Sequence, residues 1–336
     1  NDDDLDGFSH RDIYFYDTSL ESYMVADAAE RRMSFDDEFV SAAALAGIDN
    51  FMDDSVDSLG ALTNDAYDLS GDGLVLSDDV QTLVDFTRGV STTKFKYIDL
   101  ERGRWKLGDS PYSSPAIVTK RNDTFSNSDT YRNFLSLLEN ESMPDLVLVT
   151  ANDGMLHAFA LTDDDTTPTS DESGEELWAW IPNTLIVRDR GAEWAGGLID
   201  MMWYGRTFLF DGTPVVKDVW IDLDGDGKKE CGADLDDCEW RRVVVVQQGF
   251  GGTRTLALDI TYTDSPAFLW EQTNAVDSTA MGYTTSRPVV VNVYDKSGTG
   301  GRDRWVALWG SGRPADYSSG STNYFESVEG SLYMWD

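Results

Sequence analysis

The sequence predicts a mainly β protein: a β-propeller of four-stranded blades, preceded by a small helical segment with an EF-hand-like loop. Three observations predict it. From about residue 105 onward apolar residues recur with period two, Gly and Pro punctuate the chain, and Trp is frequent. Over the same stretch a four-part unit repeats. Ahead of it, apolar residues fall at helical spacing on both sides of an acidic loop.

Each repeat opens with Pro and an apolar strand: Pro115-Ala116-Ile117-Val118, Pro214-Val215-Val216 and Pro288-Val289-Val290-Val291. A strongly β-prone run follows: Leu146-Val147-Leu148-Val149, Val243-Val244-Val245-Val246 and Trp305-Val306-Ala307-Leu308-Trp309. The third part is Met155-Leu156-His157-Ala158-Phe159 after Gly154, Thr255-Leu256-Ala257-Leu258-Asp259, and Leu332-Tyr333-Met334-Trp335. The fourth carries Leu-Trp, at Leu177-Trp178 and Leu269-Trp270, and is not reached in the third repeat. Units that cannot bury both faces alone are the signature of propeller blades, with the third strand inner-middle and the Trp strand packed between blades. Three blades do not close a ring, so further blades are expected outside this sequence or in a degenerate N-terminal part. A β-sandwich is the alternative.

The expected division is residues 1–104, a strand and helical segment, and residues 105–336, the propeller blades. In the first part residues 11–16 read as a short strand. Phe39, Val40, Ala43, Ala44, Leu45 and Ile48 lie near helical spacing within residues 36–51. Val80, Leu83, Val84 and Phe86 form a second helical face with Gly89 as its stop, and residues 91–93 read as a linker.

Hydrophobic residues make up 41% and aromatics 12% of the 336 residues, enough for a sizeable core. No apolar run is long enough to span a bilayer, and no signal peptide is visible. The start at Asn1 and the stop at Asp336 inside an alternating run read as a piece of a longer, processed precursor. The 61 acidic against 26 basic residues give a net charge of -35, which repels nucleic acid and anionic lipid. That excess serves solubility, or salt adaptation, or the supply of metal ligands. Cys231 and Cys238, the two cysteines, read as a disulfide closing a short loop outside a reducing cytosol. A pair of metal-binding thiols is the alternative, weakened by the scarcity of histidine, present only as His10 and His157.

Two loops carry metal-ligand spacing. In Asp222-Leu223-Asp224-Gly225-Asp226-Gly227-Lys228-Lys229-Glu230 the acids at positions 1, 3 and 5 converge as the chain wraps an ion. Gly227 permits the sharp turn, the Lys228 carbonyl takes position 7 and Glu230 position 9; hard oxygen donors of this kind suit Ca²⁺. The bland reading is an exposed acidic hairpin tip. The second loop runs from Asp68 to Asp79: Asp68, Ser70 and Asp72 at positions 1, 3 and 5, Gly73 at 6, the Leu74 carbonyl at 7 and Asp79 at 12. It looks like the dockerin version of the EF-hand, with the helix from Val80 leaving the loop, and Ser70 is a weak ligand. Asp2, Asp4 and Asp6 fit positions 1, 3 and 5 of a third loop that lacks a closing acid, and read equally well as an acidic linker.

No catalytic residue is predicted. His157 reads as a packed, hydrogen-bonded strand residue, and Asp153 and Asp259 as turn or blade-closure residues. Neither a nucleophile elbow, nor a His-Glu-x-x-His zinc motif, nor a phosphate-binding glycine loop occurs. Gly249-Phe250-Gly251-Gly252 is read as a strand connection.

Several segments occur in an order shared with one known family. "RDIYFY" (11–16) is similar to the family's Arg-x-Ile-Tyr-Thr-Tyr element, and "LVDFTRG" (83–89) to its Leu-Val-x-x-x-Arg-Gly segment. "WKLGDSPYSSPAIV" (105–118), "ANDGMLHAF" (151–159), "ELWAWIPN" (176–183), "FDGTPVVKDV" (210–219), "GGTRTLALDIT" (251–261), "LWE" (269–271), "MGYTTSRPVV" (281–290) and "LYMWD" (332–336) follow. In this order the chain resembles the C-terminal region of the PilY-type type IV pilus tip proteins, and the resemblance implies an extracellular or cell-surface protein, at the pilus tip or outer membrane, that promotes pilus assembly, opposes retraction and adheres to surfaces or cells. It implies partners among the minor pilins of the pilus tip and host or surface ligands, and a propeller calcium loop matched by Asp222, Asp224, Asp226 and Glu230. No von Willebrand-type domain and no Arg-Gly-Asp triplet is present in this sequence. The expected function is a calcium-binding pilus-tip adhesin or biogenesis factor that works by binding and mechanics. The rivals are a quinoprotein-type propeller dehydrogenase and a passive cell-surface structural subunit.

Overall fold

A computed structural model describes residues 12–15, 33–35, 77–89, 107–120, 127–161, 174–186, 197–198, 201, 208–272, 283–296, 302–310, 312 and 332–335. Residues 36–51, 91–93, Asp2, Asp4, Asp6, and all of the Asp68 loop before Ser77 lie outside them.

The sequence repeat maps onto three sheets. The first repeat supplies β3 (Ala116–Val118), β4 (Leu146–Ala151), β5 (Met155–Ala160) and β6 (Glu176–Trp180), paired antiparallel in that order. The second supplies β7 (Val215–Trp220), β8 (Trp240–Gln247), β9 (Thr255–Asp259) and β10 (Ala267–Gln272), again an antiparallel meander. The third supplies β11 (Val289–Asp295), β12 (Arg302–Gly310) and β13 (Leu332–Trp335), in the order β11-β12-β13. The described sheets do not close into a ring.

The first sheet has six strands, not the four expected. The segment read as a strand over 11–16 forms β1 (Ile13–Phe15), which pairs parallel with β6, and β2 (Met33–Ser34) pairs antiparallel with β1. An outer strand leaves a row of unpaired N–H and C=O groups. β1 takes up those of β6: Ala179 donates to the Asp12 carbonyl at 2.8 Å and Ile181 to that of Tyr14 at 2.9 Å.

The uninterrupted Val243 to Val246 run follows from position. The second sheet is covered on both faces, so period-two alternation of polarity has no solvent side to serve. Val244, Val246, Leu256 and Leu258 enter the core shared with the first sheet; Val245 and Ala257 pack with Ala307 and Trp309 of the third. Tryptophans span the sheets as expected of the fourth strand. The Trp178 indole donates to the Thr263 carbonyl at 2.8 Å, Trp180 stacks on Phe268 at 6.3 Å, and Trp270 on Trp309 at 6.2 Å.

Among the described residues, two helices of three turns complete the frame, with a short third, α3 (Asn183–Ile186). α1 (Ser77–Arg88) buries Val80, Leu83 and Val84 against the core that holds Ile13, Phe15 and Phe35, and stops at Gly89, whose φ is 76°. α2 (Asp129–Asn140) starts at Ser128, whose hydroxyl accepts from the Tyr131 N–H at 3.3 Å. Its Tyr131, Phe134 and Leu138, one helical face, pack against Trp220, Leu235, Cys238 and Trp240.

A buried ion pair fastens α2 to the sheets. Arg242 on β8 donates from Nε to Asp218 on β7 at 2.7 Å and through a second guanidinium nitrogen at 3.1 Å. The same guanidinium donates to the Thr119 carbonyl at 2.6 Å, and the Tyr131 hydroxyl donates to Asp218 at 2.7 Å. Both charges are out of solvent, so this geometry must satisfy what burial takes away.

Candidate metal centre

The Asp222 loop joins β7 to β8, the place in the second repeat that the sequence assigns to it. Carboxylate oxygens of Asp222, Asp224 and Asp226 all lie within 4.8 Å of one another. The backbone holds them there. Asp222 accepts from the Gly225 N–H at 2.9 Å and the Gly227 N–H at 3.1 Å, Asp224 from Asp226 N–H at 3.0 Å, and Asp226 from Lys228 N–H at 2.8 Å. Gly225 and Gly227 take φ of 78° and 75°, left-handed values that side chains disfavour. Three convergent carboxylates on a tightly wound loop fit a hard divalent cation of the Ca²⁺ type. The Lys228 ammonium pairs with Asp226 and holds that carboxyl below the usual carboxylate range; a metal ion would have to displace it. Glu230 is exposed and is not in the three-acid cluster; its backbone N–H is committed elsewhere.

The base of the loop is clasped by a residue the sequence reading missed, Glu239. It is 6% exposed and accepts three N–H groups: the Trp220 indole at 2.8 Å, Leu223 at 3.1 Å and Glu230 at 3.0 Å. One carboxylate thus ties both ends of the loop together. Its only local signal is an acid between Cys238 and Trp240, where an apolar strand residue would be expected. Cys231 and Cys238 form a disulfide beside it. Lys229 pairs with Asp303 of β12 at 2.8 Å and lies 5.3 Å over the Trp220 ring, tethering the loop to the third sheet.

Of the second predicted loop, Asp68, Ser70, Asp72 and Leu74 lie outside the described residues; Asp79 is fully buried on α1.

His157 is fully buried between two carboxylates, with Nδ1 2.6 Å from Glu176 and Nε2 3.0 Å from Asp153. Carboxylates only accept, so both ring nitrogens must carry protons and the ring is an imidazolium. Burial pushes its pKa down, but the two acids outweigh it and raise it to about 9. Asp153 also accepts from the Gly108 and Met155 N–H groups, and Asp259 from that of Thr261, the turn roles expected of them.

The molecule is thus a mainly β protein of repeated meanders carrying a clasped acidic loop. No protein-family model matches the chain. It is 29% identical over 235 residues to the type IV pilus biogenesis factor PilY1 of Pseudomonas aeruginosa, covering 67% of this chain and 17% of that protein. To a PilY1 homolog of Xylella fastidiosa it is 30% identical over 219 residues, covering 61% and 12%. The solved C-terminal domain of P. aeruginosa PilY1 aligns with a TM-score of 0.37 at 23% identity, over 58% of this chain and 31% of that one. Over the residues matched to these relatives the chain is similar in sequence to proteins named PilY1, the family that the order of its motifs resembles.

Proposed function

We propose that this chain is part of a calcium-binding type IV pilus biogenesis factor that acts by binding and mechanics at the cell surface, and not by catalysis. The observation that carries the calcium reading is the convergence of the Asp222, Asp224 and Asp226 carboxylates within 4.8 Å on a clasped loop. The pilus reading rests on likeness to proteins named as pilus biogenesis factors, of which this chain matches only a small part. The three stacked meanders favour a propeller whose blades are not all described, with the boundary near residue 104. Calcium at the Asp222 loop would lock β7 and β8 at their shared turn, and the Asp68 loop would supply a second site. Minor pilins and a surface ligand are the partners this reading assigns. Its adhesive role is tested by whether the purified chain binds cells or surfaces.

Calorimetric titration of chelator-stripped protein with CaCl2, with melting curves in parallel, tests the metal site. Binding to the native state alone adds about 2.7 kcal/mol at a hundredfold excess over Kd. Asp224→Asn with Asp226→Asn should remove one site and its share of the rise in Tm. If that variant titrates like the parent protein, the Asp222 loop is only an acidic turn.

A further inference from the structure

The three repeats bring equivalent positions to one cavity. Three residues before the Pro that opens each repeat stand Tyr112, Asp211 and Thr285, ahead of Pro115, Pro214 and Pro288. All three line one concavity enclosing about 350 Å³, open mouth included. Thr213 and Arg287, each directly before its Pro, line it too, as does Phe250 from the β8–β9 connection. Equivalent turns converge here because the sheets stack, yet the residues they present differ: an aromatic, an acid and a hydroxyl.

Asp211 has the marks of a ligand-facing group. It is 1% exposed. One carboxylate oxygen accepts the Phe250 N–H at 2.8 Å; the other has no hydrogen-bond partner among the described residues. A buried acceptor left unmet is costly and calls for an explanation. Burial pushes the Asp211 pKa upward, so a donor delivered by a ligand would relieve a real penalty.

The mouth is aromatic. Tyr112 and Phe250 have ring centroids 5.0 Å apart, and Phe208 lies 6.0 Å from the first and 5.9 Å from the second. These rings are 58%, 46% and 47% exposed, for Tyr112, Phe250 and Phe208. Large rings grouped in water mark a contact surface.

We infer that this cavity binds a neutral saccharide unit, with a ring C–H face laid on Tyr112 and Phe250 and a hydroxyl donated to Asp211. Charge selects among ligand classes. A simple cation meets a concavity that Arg287 also lines, and a simple anion meets Asp211, the nearby Asp109 and a chain of net charge -35. A sugar ring donates and accepts at one edge and is apolar on a face, matching an acceptor, a cationic donor and aromatic rings in one wall. The concavity is shallow, with about 80 Å³ of room inside it, so it would receive the edge of one ring and not an extended peptide.

Saturation-transfer NMR with methyl glycosides of glucose, galactose, mannose and N-acetylglucosamine tests this on the full chain, with choline chloride as the cationic control. Transfer to ring protons of at least one glycoside is expected. Asp211→Asn, which retains an oxygen for the Phe250 N–H, should weaken binding about tenfold, the loss of about 1.4 kcal/mol. Tyr112→Ser, at an exposed ring, should weaken it similarly with Tm unchanged, which separates a lost site from a lost fold. Absence of transfer from every glycoside, transfer undiminished in both variants, or binding of choline alone would each overturn the inference. None of these outcomes bears on calcium or on the pilus reading.

Discussion

Removal of the Glu239 carboxylate should loosen the acidic loop and destabilise the protein together. Glu239→Ala strips the acceptor from three N–H groups at once. The Trp220 indole, on a residue only 4% exposed, has no water to turn to, and a bond to a charged acceptor there is worth about 2–3 kcal/mol. The Leu223 and Glu230 amides sit nearer solvent and should lose about 1 kcal/mol each, for a total of about 4 kcal/mol. At about 2 °C per kcal/mol for a large domain, Tm should fall by roughly 8 °C. Glu239→Gln keeps one oxygen, which can serve Trp220 and Glu230 as Oε2 does now, so its cost should be about 1–2 kcal/mol. Differential scanning calorimetry of the three proteins in chelator decides the matter. A Glu239→Ala protein melting within a degree of the parent, or a Gln variant less stable than the Ala one, would refute the clasp.

Other outcomes follow from the same geometry. Arg242→Met leaves Asp218 charged and buried and should cost about 3–5 kcal/mol in urea denaturation, while adding Asp218→Leu should recover much of it. His157 is held as an imidazolium with its pKa raised from 6.5 to about 9, so its stabilisation is complete below about pH 6.5 and is lost as pH rises through about 9. Tm should therefore decline over that interval in the parent protein and stay flatter in His157→Gln; equal slopes would refute the assignment. Replacing both Cys231 and Cys238 with Ser frees a short loop and should cost about 2 kcal/mol by chain entropy, read as a lower denaturation midpoint.

Local spacing carried much of this molecule. The repeat of Pro, β-prone run, Gly and Leu-Trp placed β3 to β13 because each pairing within a repeat is between neighbours in the chain. The Asp222, Asp224 and Asp226 triad was legible for the same reason: its ligands lie on one turn. What was not legible lies between distant residues. Tyr131, Thr119, Asp218 and Arg242 meet only after α2 and two sheets have packed, and nothing in their own neighbourhoods announces it. Glu239 was missed because a single buried acid just ahead of a strand has no period. The parallel union of β1 with β6 was missed because β1 pairs outside the repeat.

That union sets an order of assembly. The meanders close through local pairings, while Ile13 can reach Ala179 only after the first sheet exists. Until then the outer edge of β6 offers open backbone groups, with Trp178 and Trp180 alongside, to any other strand nearby. The stretch from Asp12 to Phe15 therefore acts as a late-arriving seal. A nascent or truncated chain without it should be more prone to pair with its own kind than to unfold outright.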